Sequence, residues 1–379
     1  MLACVAPITL GSVAARAESF SVLHSFTGPP DGDMPYAALI NVGGTLYGTT
    51  YEGGANNDGS VFTITPAGAE NVIYSFTSQR GDGEMPYAPL INVDGTLYGT
   101  TSEGGRGGCG TVFSVTPAGA ETVLYSFKCS DGANPRGGLL NVGGTLYGTT
   151  ENGGSHNLGT VFKVTLTGTE TVVHSFGATG DGTSPLAALI KVGGKLYGTA
   201  YEGGANGLGA VFTISRTGKE KVLYSFQNSN DANNPVAPLL DVGGTLYGTS
   251  EYGGGYSCDK GFYTCGAVFK ITPSGHEKVL YSFYGKPDGE YPTGGLINAN
   301  GTLYGTTASG GSGKDCVNVC RGTIFKLTLG GVETILQSLS DNDGLYPETG
   351  LLKVGRLLYG TTAGGGDNGY GTVFTVSHD

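Results

Sequence analysis

The sequence predicts an all-β chain: a seven-bladed β-propeller with four antiparallel strands per blade, its ring closed by the N-terminal strand joining the last blade. Three observations predict it. The motif Leu-Tyr-Gly-Thr returns seven times, with tyrosines at Tyr47, Tyr98, Tyr147, Tyr197, Tyr247, Tyr304 and Tyr359. The spacing is roughly 50 residues, enough for one four-stranded blade. Glycine is abundant, at 71 of 379 residues, yet it sits between apolar and aromatic runs and so reads as turn punctuation between short strands.

Each repeat opens with a short apolar strand such as Leu39-Ile40-Asn41-Val42. The Leu-Tyr-Gly-Thr strand follows and ends in a Gly-Gly loop. A Gly-x-Val-Phe or Gly-x-Ile-Phe strand comes third. A turn such as Pro66-Ala67-Gly68-Ala69 leads to an outer strand such as Val72-Ile73-Tyr74-Ser75-Phe76. A D-G-x-x-P turn then starts the next repeat. One blade cannot bury both of its faces, so neighbours must stack around an axis.

In layout and length the repeat resembles a kelch blade, which makes the Leu-Ile strand innermost. That strand begins with small residues, as in Ala37-Ala38, Ala88-Pro89, Gly137-Gly138, Ala187-Ala188 and Gly294-Gly295. Seven strands crowd near the axis, and small side chains fit there. The chain ends after a third strand, Gly371 to Val376. Its missing fourth strand stands at Phe20 to Phe26, matching the outer strand that ends at Phe76. Pairing the two ends removes an open edge that would invite aggregation.

The repeats also resemble the extracellular tandem-repeat proteins called the GloVer family, whose unit carries L-Y-G-T-T, G-G, G-x-V-F and D-G-x-x-P. The resemblance covers residues 20 to 376. It implies a bacterial, exported protein of a family mostly without an assigned activity. Members often carry a variable C-terminal surface anchor, and this chain departs from that pattern by stopping three residues after Val376, at Asp379, which leaves anchoring open.

The formal charge is −11, from 20 basic and 31 acidic residues, and no Lys/Arg cluster occurs. This excludes a nucleic-acid surface, which needs a basic stripe, and disfavours an anionic membrane. No apolar run reaches the ~20 residues that span a bilayer. Residues 1–17 read as a signal peptide: Leu2 to Ala14 are apolar or small, and Ala15-Arg16-Ala17 is an A-x-A cleavage pattern. The basic n-region is missing, and a disordered tail is the alternative. The expected layout is therefore a signal segment over 1–17 and one propeller over 18–379, secreted, periplasmic or at the cell surface, and monomeric.

Of seven cysteines, Cys4 lies in the presumed signal and six form local pairs. Cys258 with Cys265, and Cys316 with Cys320, fall in the enlarged loops of blades five and six. For Cys109 and Cys129, placing Thr116 opposite Glu121 brings residue 109 opposite 128, within disulfide reach. Six cysteines so paired suit an oxidising compartment. The alternative, a zinc site at Cys316-x3-Cys320, lacks further ligands.

Function should sit where the 2–3 loops and the 4–1 crossovers open on one face. The turn aspartates Asp31, Asp82, Asp131, Asp181, Asp231, Asp288 and Asp343 recur in every blade. Calcium is conceivable there but not favoured. An Asp before Gly bonds its own turn, with the Gly at positive φ, so these residues read as structural. The position after the proline varies instead: Tyr36, Tyr87, Arg136, Leu186, Val236, Thr293 and Glu348. The position before it adds Tyr291 and Tyr346. Tyr36, Tyr87, Tyr291 and Tyr346 would form an arc across blades six, seven, one and two. Asp33, Glu84, Glu290 and Glu348 lie close in sequence. Aromatic faces beside carboxylates suit sugar rings and their hydroxyls; packing between blades is the competing explanation for the tyrosines.

No G-x-S-x-G elbow occurs. Of five histidines only His156 falls on the variable face, since His24 and His174 replace the outer-strand Tyr, His276 is in a bottom turn and His378 is near the end. No cofactor is expected. The sequence ranks a glycan-binding module first. Next comes a polysaccharide hydrolase or lyase using Asp33, Glu84, Glu290 or Glu348 as weak catalytic candidates. A structural or adhesive surface protein comes third.

Overall fold

The computed structural model describes residues 19–79, 81–215, 217–258, 261, 263–312 and 321–378. The signal segment and the Cys316–Cys320 pair lie outside the described residues. Seven four-stranded antiparallel sheets succeed one another along the chain, and each repeats the order of the first: Ile40–Val42, Thr45–Thr50, Ser60–Ile64, Glu70–Ser75. The seventh sheet joins Leu352–Val354, Leu357–Thr362 and Thr372–Ser377 to the N-terminal strand Phe20–Ser25. Phe20 lies opposite Val376 and Ser25 opposite Thr372, so the last blade is completed by the beginning of the chain.

The blades are held by what lies between them. Seven apolar clusters each combine side chains of two successive blades; Phe26, Leu39, Leu46, Phe62, Tyr359 and Val373, for example, join blade seven to blade one. At six of the seven interfaces a Phe ending the outer strand sets its edge against the third-strand Phe of the next blade, as Phe76 does on Phe113 at 5.0 Å, and Leu339 takes this place between blades six and seven. Such edge-to-face contacts suit the ring quadrupoles.

The Leu-Tyr-Gly-Thr motif now has a physical reason at each position. Leu46 and Tyr47 are buried in two different inter-blade clusters. A Cβ on Gly48 would lie 2.5 Å from Phe62 and 2.8 Å from Leu39, so only glycine lets the second strand pass between them. Thr49 donates its hydroxyl across the interface to blade two, at Ala88 O, 3.4 Å, just before that blade's innermost strand Ile91–Val93. Thr361 does the same from blade seven to Ala37 of blade one, at 3.2 Å, which closes the ring. The next residue, Thr50, bonds Ser60 on the third strand at 2.7 Å. Blade four replaces this hydroxyl pair by Ala200 and Ala210, both fully buried, so neither polar group is left alone.

The turn aspartates are structural. Asp82 accepts from Gly83 N at 2.7 Å, Thr77 N at 3.0 Å and the outer-strand hydroxyl of Tyr74 at 2.7 Å. His174 takes the tyrosine's place beside Asp181 at 3.2 Å. The expected positive φ of the following glycine is corrected: among these glycines only Gly132 and Gly344 hold one. Glycine is required there for space. A Cβ on Gly83 would come within 2.5 Å of Thr101 and 2.7 Å of Thr111. Blade five, where Ser250 and Ala267 replace that threonine pair, carries Ala232 instead.

Two disulfides are present among the described residues: Cys109–Cys129, with Cα atoms 5.4 Å apart, and Cys258–Cys265, at 5.2 Å. The register behind the first differs from the expectation, since Val115 rather than Thr116 faces Glu121. A bulge between Val112 and Phe113 restores the count, leaving Thr111 opposite Ser126. No described helix is long and apolar enough to cross a membrane.

Candidate functional site

The variable face is built by a clamp repeated in every blade. The residue before the proline has left-handed φ throughout: Met34, Met85, Asn134, Ser184, Asn234, Tyr291 and Tyr346 lie between 51° and 58°. This is a costly conformation for non-glycine residues and needs support from its surroundings. Two backbone bonds supply it. Ser184 N donates to Leu158 O of the preceding blade at 3.0 Å, and Ser184 O accepts from Tyr201 N of its own blade at 3.1 Å. The crossover is thereby tied to the residue that follows L-Y-G-T-T, and a short ladder such as Gly32–Asp33 with Glu52–Gly53 fixes the pair.

Two rings of side chains result. One is the position after the proline. The other, which the sequence reading missed, is the second residue after Leu-Tyr-Gly-Thr: Tyr51, Ser102, Glu151, Tyr201, Glu251, Ala308 and Ala363. It carried the same signal as the first ring, namely variation beside an otherwise uniform motif.

The first ring, with Glu151, Tyr201 and Glu251 of the second, lines a cavity of about 470 Å³ at the mouth of the central channel, with Tyr36, Tyr87, Arg136 and Glu348 on its walls. Small residues of the innermost strands line it too, among them Ala38, Pro89, Gly138, Ala188, Pro238, Gly295 and Gly350. Tyr36 stacks on Tyr87 at 5.1 Å, with Tyr51 edge-on to both. The Arg136 guanidinium lies 5.4 Å from the centre of the Tyr87 ring and pairs with Glu151 at 2.9 Å. Tyr201 donates its hydroxyl to Glu251 at 2.9 Å.

Burial and the charge of Glu251 push the Glu348 carboxyl up to about 7. Burial and Glu348 raise the Tyr36 hydroxyl to about 12. The cavity thus holds one carboxyl poised near neutrality beside a second that a tyrosine hydroxyl supports.

Of the residues singled out from sequence, Tyr36, Tyr87, Arg136 and Glu348 meet here. Tyr291 and Tyr346 do not line the cavity. Tyr291 packs edge-on against Tyr252 at 5.7 Å, and Tyr346 carries Arg321 over its ring at 5.3 Å. Asp33, Glu84 and Glu290 also lie off the cavity wall. Asp33 is buried, and burial with Glu52 raises its carboxyl. Glu84 is raised by burial and by Asp58. His156 stands in a rim loop, bonded to Ser155 at 2.9 Å. His24, Asp31 and Glu70 group within 4.8 Å, but this is the blade-seven version of the Tyr–Asp–Glu arrangement that recurs between other blades.

The molecule is a closed seven-bladed propeller with a small-ligand-sized cavity, of mixed aromatic and carboxylate character, at the mouth of its channel. By sequence it matches the Gloeobacter/Verrucomicrobia repeat over residues 9–145, 86–258 and 255–379, and it belongs to that family. Among curated proteins none matches it. Solved structures resemble it at low identity. A candidate 6-phosphogluconolactonase from Bacteroides uniformis is 14% identical with TM-score 0.52, over 83% of this chain and 88% of that one. A protein of unknown function from Bacteroides thetaiotaomicron is 13% identical with TM-score 0.48, over 95% of this chain and 76% of its own. Trypanosoma rangeli sialidase is 12% identical with TM-score 0.48, over 95% and 59%. At 14% identity and TM-score 0.52, the likeness to the Bacteroides uniformis protein is one of fold alone.

Proposed function

We propose that this propeller is an exported binding protein that takes a saccharide at the mouth of its central channel. The observation that carries the reading is the Tyr36–Tyr87–Arg136 stack on the wall of the cavity. Tyrosine faces suit the apolar faces of sugar rings, while Glu251, Glu348 and the backbone rim offer partners to hydroxyls. Blades four and five carry Leu186 and Val236 at the same position, so the fold does not demand aromatic rings there. Two disulfides support export to an oxidising compartment. A glycan array tests the reading: binding by the wild-type protein supports it, and silence across neutral, acidic and basic saccharides overturns it.

A second reading, hydrolysis of the bound saccharide, is favoured by one pair. Glu348 is held near 7 while Glu251 shares its cavity, and two carboxyl groups with unlike environments are what glycoside hydrolysis needs. Incubating an array hit with excess protein separates the two. Cleavage that disappears in both Glu348→Gln and Glu251→Gln identifies an enzyme; an intact saccharide leaves a binding protein.

A further inference from the structure

The charge balance of the mouth narrows the ligand class. Among the described residues Arg136 is the one lysine or arginine on the cavity wall, and Glu151 already pairs with it at 2.9 Å. Glu202, Glu251 and Glu348 remain. Ionised carboxylates only accept hydrogen bonds, and the Tyr201 hydroxyl proton is committed to Glu251. Beside the hydroxyls of Tyr36, Tyr87, Ser184, Thr293 and Thr349, the wall therefore carries three carboxyl groups that Arg136 does not neutralise. A cation already lies on the face of Tyr87, which shows how this aromatic stack receives positive charge. The chain's −11 charge would also draw cations towards the molecule.

Resting on the saccharide reading above, we infer that the preferred ligand is a cationic amino sugar, a saccharide with a free ammonium group that sits among Glu202, Glu251 and Glu348 beside the Tyr36–Tyr87 stack. The ammonium brings a positive charge and three donors to these carboxyl groups. A uronic or sialic acid would instead bring a like charge to those carboxylates. Glu348, held near 7 by burial and Glu251, would ionise as the ammonium arrives, so binding near pH 7 releases a proton.

The test is calorimetric titration with a glucosamine oligosaccharide, its fully N-acetylated counterpart and a uronic-acid oligosaccharide of equal length. The glucosamine oligomer should bind at least about tenfold more tightly than either, and more weakly as salt rises. Its apparent enthalpy near pH 7 should change with the ionisation enthalpy of the buffer. The Glu251→Gln/Glu348→Gln variant, checked for an unchanged melting transition, should bind glucosamine and N-acetylglucosamine oligomers alike. If that variant fails to fold, the salt and buffer dependence of the wild type decides. Equal or tighter binding of the acetylated or acidic oligomer overturns the charge inference and leaves the saccharide reading standing. No binding of any of the three, with a silent glycan array, overturns both.

Discussion

Tyr74 donates its hydroxyl proton to Asp82 at 2.7 Å, and Glu121 of the next blade stands 3.5 Å from the same hydroxyl. One proton donor thus faces two acids. The arrangement recurs around the ring, with Glu70, Glu170, Glu220, Glu277 and Glu333 beside Asp31, Asp131, Asp181, Asp231 and Asp288. Burial first, and the neighbouring Asp second, push five of these glutamates to about 7 and Glu277 to about 8.

A pH dependence follows with a definite sign. The unfolded chain loses these protons near the ordinary Glu value of about 4.3, whereas the folded ring keeps them to about 7. Between those values the native state binds more protons, so stability falls as pH rises. The contribution is full below pH ~4.5 and gone above ~8. Melting temperatures across pH 4.5 to 8 should decline, and replacing the six glutamates by Gln should flatten the decline. A melting temperature that rises over this window contradicts the assignment.

Ring closure rests on the N-terminal strand. Phe26 is fully buried between blades seven and one, 5.2 Å from Phe62, and Phe20 packs on Phe374 at 5.5 Å. Deleting residues 18–26 should expose the edge of Thr372–Ser377 and give aggregation or non-cooperative unfolding. Size-exclusion chromatography and calorimetry read this; an unaltered single transition refutes it.

The glycine of Leu-Tyr-Gly-Thr is a packing requirement. In blade three a Cβ at Gly148 would sit 2.5 Å from the Phe162 ring. Overpacking of a filled core costs ~1–3 kcal/mol. Gly148→Ala should lower the denaturation free energy by about that amount. No measurable change would mean the Phe162 ring has room to move.

Cys109–Cys129 closes a loop with a sequence separation of 20. Chain entropy puts the stabilisation of such a loop at up to about 3 kcal/mol. Peptide mapping without reduction should recover this pair and Cys258–Cys265. The Cys109→Ser/Cys129→Ser variant should unfold earlier in denaturant, and free thiols in the native protein would contradict the pairing.

Much of this was legible because the repeat is written seven times. The four strands per blade and the closing strand follow from aligning the copies, and the likeness to a kelch blade makes the strand that begins with small residues innermost. Two features were hidden. Tyr291 and Tyr346 adjoin the mouth-lining positions in sequence, but their left-handed backbone turns each towards neighbours in the rim, Tyr252 and Arg321. Glu251 and Tyr201 escaped because L-Y-G-T-T reads as purely structural, and only the clamp at Ser184 and Asn234 shows that the next residue is carried to the axis.

The saccharide site is tested most directly by titrating the array's strongest ligand into the wild type and into Tyr36→Ala/Tyr87→Ala. A stacked aromatic contributes ~0.5–1.5 kcal/mol beyond its area, so losing two should weaken binding by about tenfold or more. The melting temperature should hold, because Leu186 and Val236 already serve the same position. An unchanged dissociation constant in a folded double variant would show that the tyrosines only pack the blades together and that the mouth is not the binding site.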